Sequence, residues 1–386
     1  MRDLLAHADL DRYAGQFVWL ELSYDEPRNG EFLSKYGATA TPTFFVIDPQ
    51  DETVAAMQPG AMSLTELKQF LERGAAVVLA TKQTPADAAL RRGDTLIAQH
   101  PVEAVKAYQQ ALELAPTNWD RRELTEASLV QALHNSQQWQ LCAEAAASDA
   151  TGMKRDGLFV RTLVAGMWCL ASVDAAPWVN IRLMTLQPLA ETALSLPMTL
   201  RDHRDSIYRT LMYIEVARKN QAAALKWGER WLAELDAITP RSDDERSALD
   251  IARVENVQIA GDPARILPAL MVSEKAMPDN YIASLRLAQV QLAAAQYQEA
   301  IAACDRGLAR NPGAVGRAWL LRIKAQSLQA RGRMAEARSV LQEALGSAEE
   351  IPSRESRENN MAMIRKMLEQ MSDPLEQQSR KTFTVF

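Results

Sequence analysis

The chain has 386 residues, of which 47% are hydrophobic and 24% charged, with a net charge of −6. That length exceeds one ordinary core and fits two or three domains, or one domain and a repeat array. An acidic balance with no long Lys/Arg run excludes a non-specific grip on nucleic acid or anionic lipid, and a large alanine share favours helix over sheet.

The opening residues, MRDLLAHADLDRYAGQF, carry aspartates inside their apolar segment and no small-residue cleavage site, so a secretory signal is not expected and the chain reads as cytoplasmic. No run of 18 apolar residues follows, so no membrane partner is expected. Residues 17–22, FVWLEL, form an apolar run after Gly15 that predicts a buried strand. TFFVID at 43–48 and TVAAM at 53–57 predict two more, and the PQDE between them is short enough for an antiparallel hairpin. Ser63 with Glu66 makes a capping box, Leu64, Leu67, Phe70 and Leu71 supply one apolar face, and Gly74 is expected to end this helix.

Past residue 75 the strand signals stop, a TKQTP passage intervenes, and Ala, Leu, Glu, Arg and Gln recur at helical spacing. Self-similarity is visible in three places. Ala104 is followed by Tyr108, Ala111 and Pro116; Ala300 by Cys304, Gly307 and Pro312; Ala337 by Leu341 and Ala344. Ala288 and Ala325 each stand twelve residues before the second and third of these alanines. A small side chain on each of two helices lets their axes approach, a larger one four residues on fills the groove, and proline stops the second helix. This pattern resembles the tetratricopeptide repeat, a helix–turn–helix unit of about 34 residues. Between 120 and 280 it is weaker, around WQLCAEAAA and AAALKWGERWL, and predicts degenerate repeats or plain helical hairpins.

The order of elements over residues 1–75, with YGATATPTFFVIDP at its centre, resembles the thioredoxin fold from the middle of its first long helix onward. The resemblance implies a cis-proline at Pro42 and a substrate groove bordered by Thr41, Pro42 and Thr43. It also places a strand and a W-C-x-x-C motif before the point where this sequence begins, so both catalytic cysteines are absent. The expected architecture is therefore an incomplete α/β thioredoxin-like domain at 1–75, a linker at 76–86, an all-α tetratricopeptide-like solenoid at 87–370 and a tail at 371–386.

Cys142, Cys169 and Cys304 lie far apart and exclude a disulfide framework or a C-x-x-C pair, so each is expected to be a small buried hydrophobe. Four scattered histidines give no metal site; His203, in RDHRD, reads as part of a solvated face. Trp227 and Trp231, one helical turn apart, read as core. Phosphate-loop, dinucleotide, nucleophile-elbow and zinc-protease motifs are missing, and no cofactor is expected. The expected function is protein or peptide binding without redox catalysis, by a shortened relative of a thiol–disulfide oxidoreductase whose complete parent could be exported. The alternative is a repeat scaffold or chaperone-like adaptor in which the thioredoxin-like half is only a cap.

Overall fold

The structure, a computed structural model, describes residues 2–23, 26–36, 42–79, 84–174, 176–197 and 199–371. The chain divides into two compact units, Met1–Ala224 and Leu225–Phe386, a boundary that no composition shift in the sequence marks. The expected tail, beyond Met371, lies outside the described residues.

The first unit opens with α1 (Arg2–Leu5), a 3-10 turn at Ala8–Tyr13 and a segment that departs from expectation. Residues 17–22 form no strand: they run outside any sheet, with Val18 88% and Leu20 76% exposed. An apolar run becomes a strand only by pairing its backbone N–H and C=O groups. The sheet among the described residues has two strands, which pair with each other. After α2 (Gly30–Tyr36), β1 (Thr43–Ile47) and β2 (Val54–Pro59) make the expected antiparallel hairpin, with Phe45 opposite Met57 and an irregularity between Val46 and Ile47.

Helix α3 (Leu64–Leu79) starts at the expected capping box, where the Glu66 N–H donates to Ser63 Oγ at 3.3 Å and the Ser63 N–H to Glu66 Oε2 at 2.8 Å. Its Leu67, Phe70 and Leu71 pack with Leu10, Tyr13, Val46, Ala55 and Ala56 in one small core. Gly74 does not end the helix. A Cβ there would lie 2.6 Å from Val46, so this glycine lets α3 settle onto β1. The expected 76–86 linker is accordingly helical as far as Leu79, and α4 (Pro85–Leu96) begins within it, capped by Thr84 and Asp87.

From α4 onward the first unit is all helix: α5 (Pro101–Leu114), α6 (Arg122–Asn135), α7 (Trp139–Gly152), α8 (Gly157–Ala171), α9 (Pro177–Ser195) and α10 (Arg201–Ala217). The second unit holds most of α11 (Gln221–Asp236), then α12 (Asp243–Ile259), a 3-10 turn at Pro263–Ile266, α13 (Leu267–Ala276), α14 (Tyr281–Ala293), α15 (Tyr297–Ala309), α16 (Ala314–Ala330), α17 (Met334–Glu349) and α18 (Arg354–Gln370). The small residues of the repeat pattern sit where helices cross. Ala104, Ala111, Ala288, Ala300, Ala325, Ala337 and Ala344 are all 0% exposed.

The weakly patterned middle carries the same device in another form. Gln137, Lys219, Ala295 and Gly332 all adopt left-handed φ values, of 59°, 59°, 57° and 75°. In each case the next residue's N–H returns to the carbonyl five positions back, from Gln138 to Leu133, Asn220 to Glu215, Gln296 to Gln291 and Arg333 to Leu328. Such a closure satisfies the orphan carbonyls at a helix end and reverses the chain at once. Two of the four turns fall in the region where sequence periodicity fades.

The three cysteines are buried as expected, but two of them are joined. Cys142 of α7 and Cys169 of α8, 27 residues apart with Cα atoms 6.2 Å from each other, form a disulfide. Separation in sequence misleads here because a helical hairpin brings distant positions face to face. The close crossing is set by neighbours of the pair: a Cβ at Gly166 would overlap Ala146. Cys304 remains a thiol, its pKa pushed up to about 12 by burial.

Candidate binding cleft

The residues expected to border a groove are only partly in view. Thr41 lies outside the described residues. Pro42 occupies a part-buried bend whose carbonyl accepts the Gly60 N–H at 2.8 Å, and Thr43 opens β1 opposite Pro59. Trp231 is 1% and Trp227 8% exposed, which places both in the core. His203 is part-buried on α10 rather than on an open solvated face, and burial, with Arg161 nearby, holds its pKa below the usual imidazole range.

A different feature gathers polar chemistry. Between β2, α3, α4 and α6 lies a cleft of about 100 Å³, lined by Ala55, Met57, Val77, Leu90 and Leu124 on its apolar side. Its polar side consists of Arg73, Asp87, Arg91, Asp94, Arg121 and Ser128. Helix periodicity puts Asp87, Arg91 and Asp94 on one face of α4, since residues four and three apart lie in register.

Each charge but one has a near partner. Arg91 stands 3.6 Å from both Asp48 and Asp51 and also donates to Thr53 Oγ1, so it fastens α4 to the hairpin turn. Asp87 accepts from Trp119 Nε1 at 3.0 Å and from Arg121 Nη1 at 3.2 Å. Asp94 accepts the Tyr108 hydroxyl proton at 2.8 Å. Arg73, half-buried on α3, makes no ion pair or hydrogen bond among the described residues.

Burial dominates the ionisation of this cluster. It pushes the Asp94 carboxyl up to about 7, against the opposing pull of the Tyr108 hydrogen bond and of the Arg73 and Arg121 cations. The Tyr108 phenol is raised well above its usual value, by burial and then by Asp94 itself. Gly93 makes the arrangement possible, because a Cβ at that position would stand 2.5 Å from the Tyr108 ring. The cleft can hold a small polar group between a free guanidinium and a carboxyl. Among the described residues it contains no thiol, and no group of three His, Cys, Asp or Glu poised for a metal.

Sequence reasoning missed Arg73, Asp94 and Arg121. A usable signal existed only for Asp87, whose Thr-x-x-Asp spacing marks a capping box. The others converge from three helices, which no local pattern reports.

No protein-family model matches the sequence, and no curated protein matches it. Among solved structures, a tetratricopeptide repeat protein from Parabacteroides merdae ATCC 43184 is similar to 72% of this chain over 98% of its own length, at 11% identity and a TM-score of 0.40. Among the described residues, no helix is long and apolar enough to cross a membrane.

Proposed function

We propose that the chain is a non-catalytic binding scaffold, in which the helical region holds a protein or peptide and the N-terminal hairpin with α3 caps its first helices. One observation carries this reading: the four identical turns at Gln137, Lys219, Ala295 and Gly332, which reverse the chain as a repeat array requires. An array of this kind buries its core by stacking neighbours and leaves outward rows of side chains for a partner. The cap is supported by Arg91, which ties α4 to Asp48 and Asp51.

Descent from a thioredoxin-like oxidoreductase remains part of the proposal, resting on the order of elements around Thr41, Pro42 and Thr43. The Cys142–Cys169 bond supports an oxidising compartment in place of the expected cytoplasm, because cytosolic thiols are kept reduced.

The test is to compare what the whole chain and residues 85–370 retain from an extract of the native host. The fragment is expected to recover the same partner as the whole chain. Recovery by the whole chain alone would move the binding element to the N-terminal part and overturn the assignment.

A further inference from the structure

A second cleft, in the other unit, has a charge pattern that helix packing leaves unexplained. It lies between the C-terminal end of α11, α12, the Pro263–Ile266 turn and α13, with a volume of about 350 Å³. Three arginines line it, Arg246, Arg253 and Arg265, against one lining carboxylate, Asp236.

Two of these arginines are fully engaged. Arg253 donates to Asp236 at 3.3 Å, to Asp250 at 3.2 Å and to the Leu235 carbonyl at 3.1 Å. Arg265 donates to the other oxygen of Asp236 at 3.0 Å and stands 3.6 Å from Glu229. Asp250 also accepts from Ser273 at 3.0 Å and interacts electrostatically with Arg286. Arg246 is the exception: it makes no ion pair among the described residues, and its Nε is buried with no hydrogen-bond partner.

An unmet guanidinium N–H shielded from water costs on the order of 1–3 kcal/mol, more for a charged group, a cost that an anion seated in the cleft would offset. Of the three lining arginines, Arg253 and Arg265 are paired with Asp236, Asp250 and Glu229. Arg246 is the lining cation left without an ion pair among the described residues. The acidic first turn of α12, Asp243, Asp244 and Glu245, does not line the cleft. Opposite the arginines the wall is apolar, made by Pro240, Pro268, Ala269 and Val272, the last 61% exposed.

We propose that this cleft binds a small monocarboxylate, its carboxylate on Arg246 and its hydrocarbon part against Pro240, Pro268 and Val272. A planar guanidinium fork matches a planar carboxylate through two parallel hydrogen bonds. A single negative charge matches the one lining cation without an ion pair, whereas the second charge of a phosphate dianion would meet only arginines already paired. The volume lies at the small end of ordinary ligand pockets, which run roughly 300–1,000 Å³. The site is independent of the partner-binding reading above and would stand if that reading fell.

The experiment is calorimetric titration of the full chain with phenylacetate, phenylacetamide and inorganic phosphate. Saturable binding of phenylacetate is expected, with the amide at least tenfold weaker. Arg246→Gln should abolish it and Arg246→Lys should weaken it, while Lys226→Gln, on the exposed side of α11, should leave it unchanged. Arg246 has no partner to strand, so both variants should fold, and circular dichroism checks that they do. Equal binding of acid and amide, unchanged binding by Arg246→Gln, stronger binding of phosphate, or no saturable binding at all would each overturn the proposal.

Discussion

Gly93, Asp94 and Tyr108 act as one unit, and they allow two opposed effects to be weighed. Replacing a helical glycine by alanine ordinarily gains about 1 kcal/mol of helix propensity. At Gly93 the new methyl would stand 2.5 Å from a ring that is 1% exposed and tethered through its hydroxyl to Asp94. Overpacking of that kind costs roughly 1–3 kcal/mol, so the clash wins. Gly93→Ala is expected to lower the urea midpoint of the first unit, read by far-ultraviolet circular dichroism. The Asp94 carboxyl, raised by burial from 3.8 to about 7, makes a second prediction. Between those values the folded chain holds a proton that the unfolded chain has released. The contribution of Asp94 to stability therefore declines as pH rises through that window, with a limiting slope of about 1.4 kcal/mol per pH unit for one proton. Asp94→Asn should flatten the stability profile between pH 4 and 7 relative to the parent and gain most above pH 7. Parallel profiles for parent and variant would show that Asp94 titrates normally.

Helix ends and pairings decide what was legible in the sequence. The capping box at Ser63, the β1–β2 hairpin and the alanine spacing of α5, α15 and α17 were readable because each is a local pattern with one physical meaning. The turns at Gln137, Lys219 and Ala295 were not, since glycine, the usual sign of a left-handed residue, is present only at Gly332. The Cys142–Cys169 pair was misread for a related reason: pairing across a hairpin depends on the phase of two helices, which sequence distance does not report. Both features yield predictions. An L-residue held left-handed costs roughly 1–2 kcal/mol, and glycine in a regular conformation gives up backbone entropy, so Ala295→Gly, at an exposed turn, should raise stability by about 1 kcal/mol. The urea midpoint of the second unit measures it. For the disulfide, the chain-entropy model gives about 3.5 kcal/mol for a loop of this length. Thiol titration in denaturant should find one free thiol before reduction and three after, and Cys142→Ala/Cys169→Ala should melt earlier than the parent. Three thiols without reductant would mean the bond does not form in solution.

Along the whole molecule, stability follows how each segment satisfies its backbone. The helices from α4 to α18 close their own hydrogen bonds and bury apolar residues against neighbours, so opening one exposes both polar groups and apolar surface. The α/β part rests on one small core under α3. Its sheet, two-stranded among the described residues, is below the three strands that ordinarily give independent stability, and FVWLEL, expected to be a buried strand, runs outside that sheet with Trp19 47% exposed. A protease needs about this, an extended stretch free to enter its cleft, and local openings are cheapest where buried apolar contacts are few. Brief chymotrypsin treatment of the native chain is therefore expected to cut first at Phe17, Trp19 or Leu20. The helices should survive on a gel as one large product, cleaved only at longer times. Protection of residues 17–22 equal to that of α14–α17 would show that another strand, from a second copy or a partner, completes the sheet in solution.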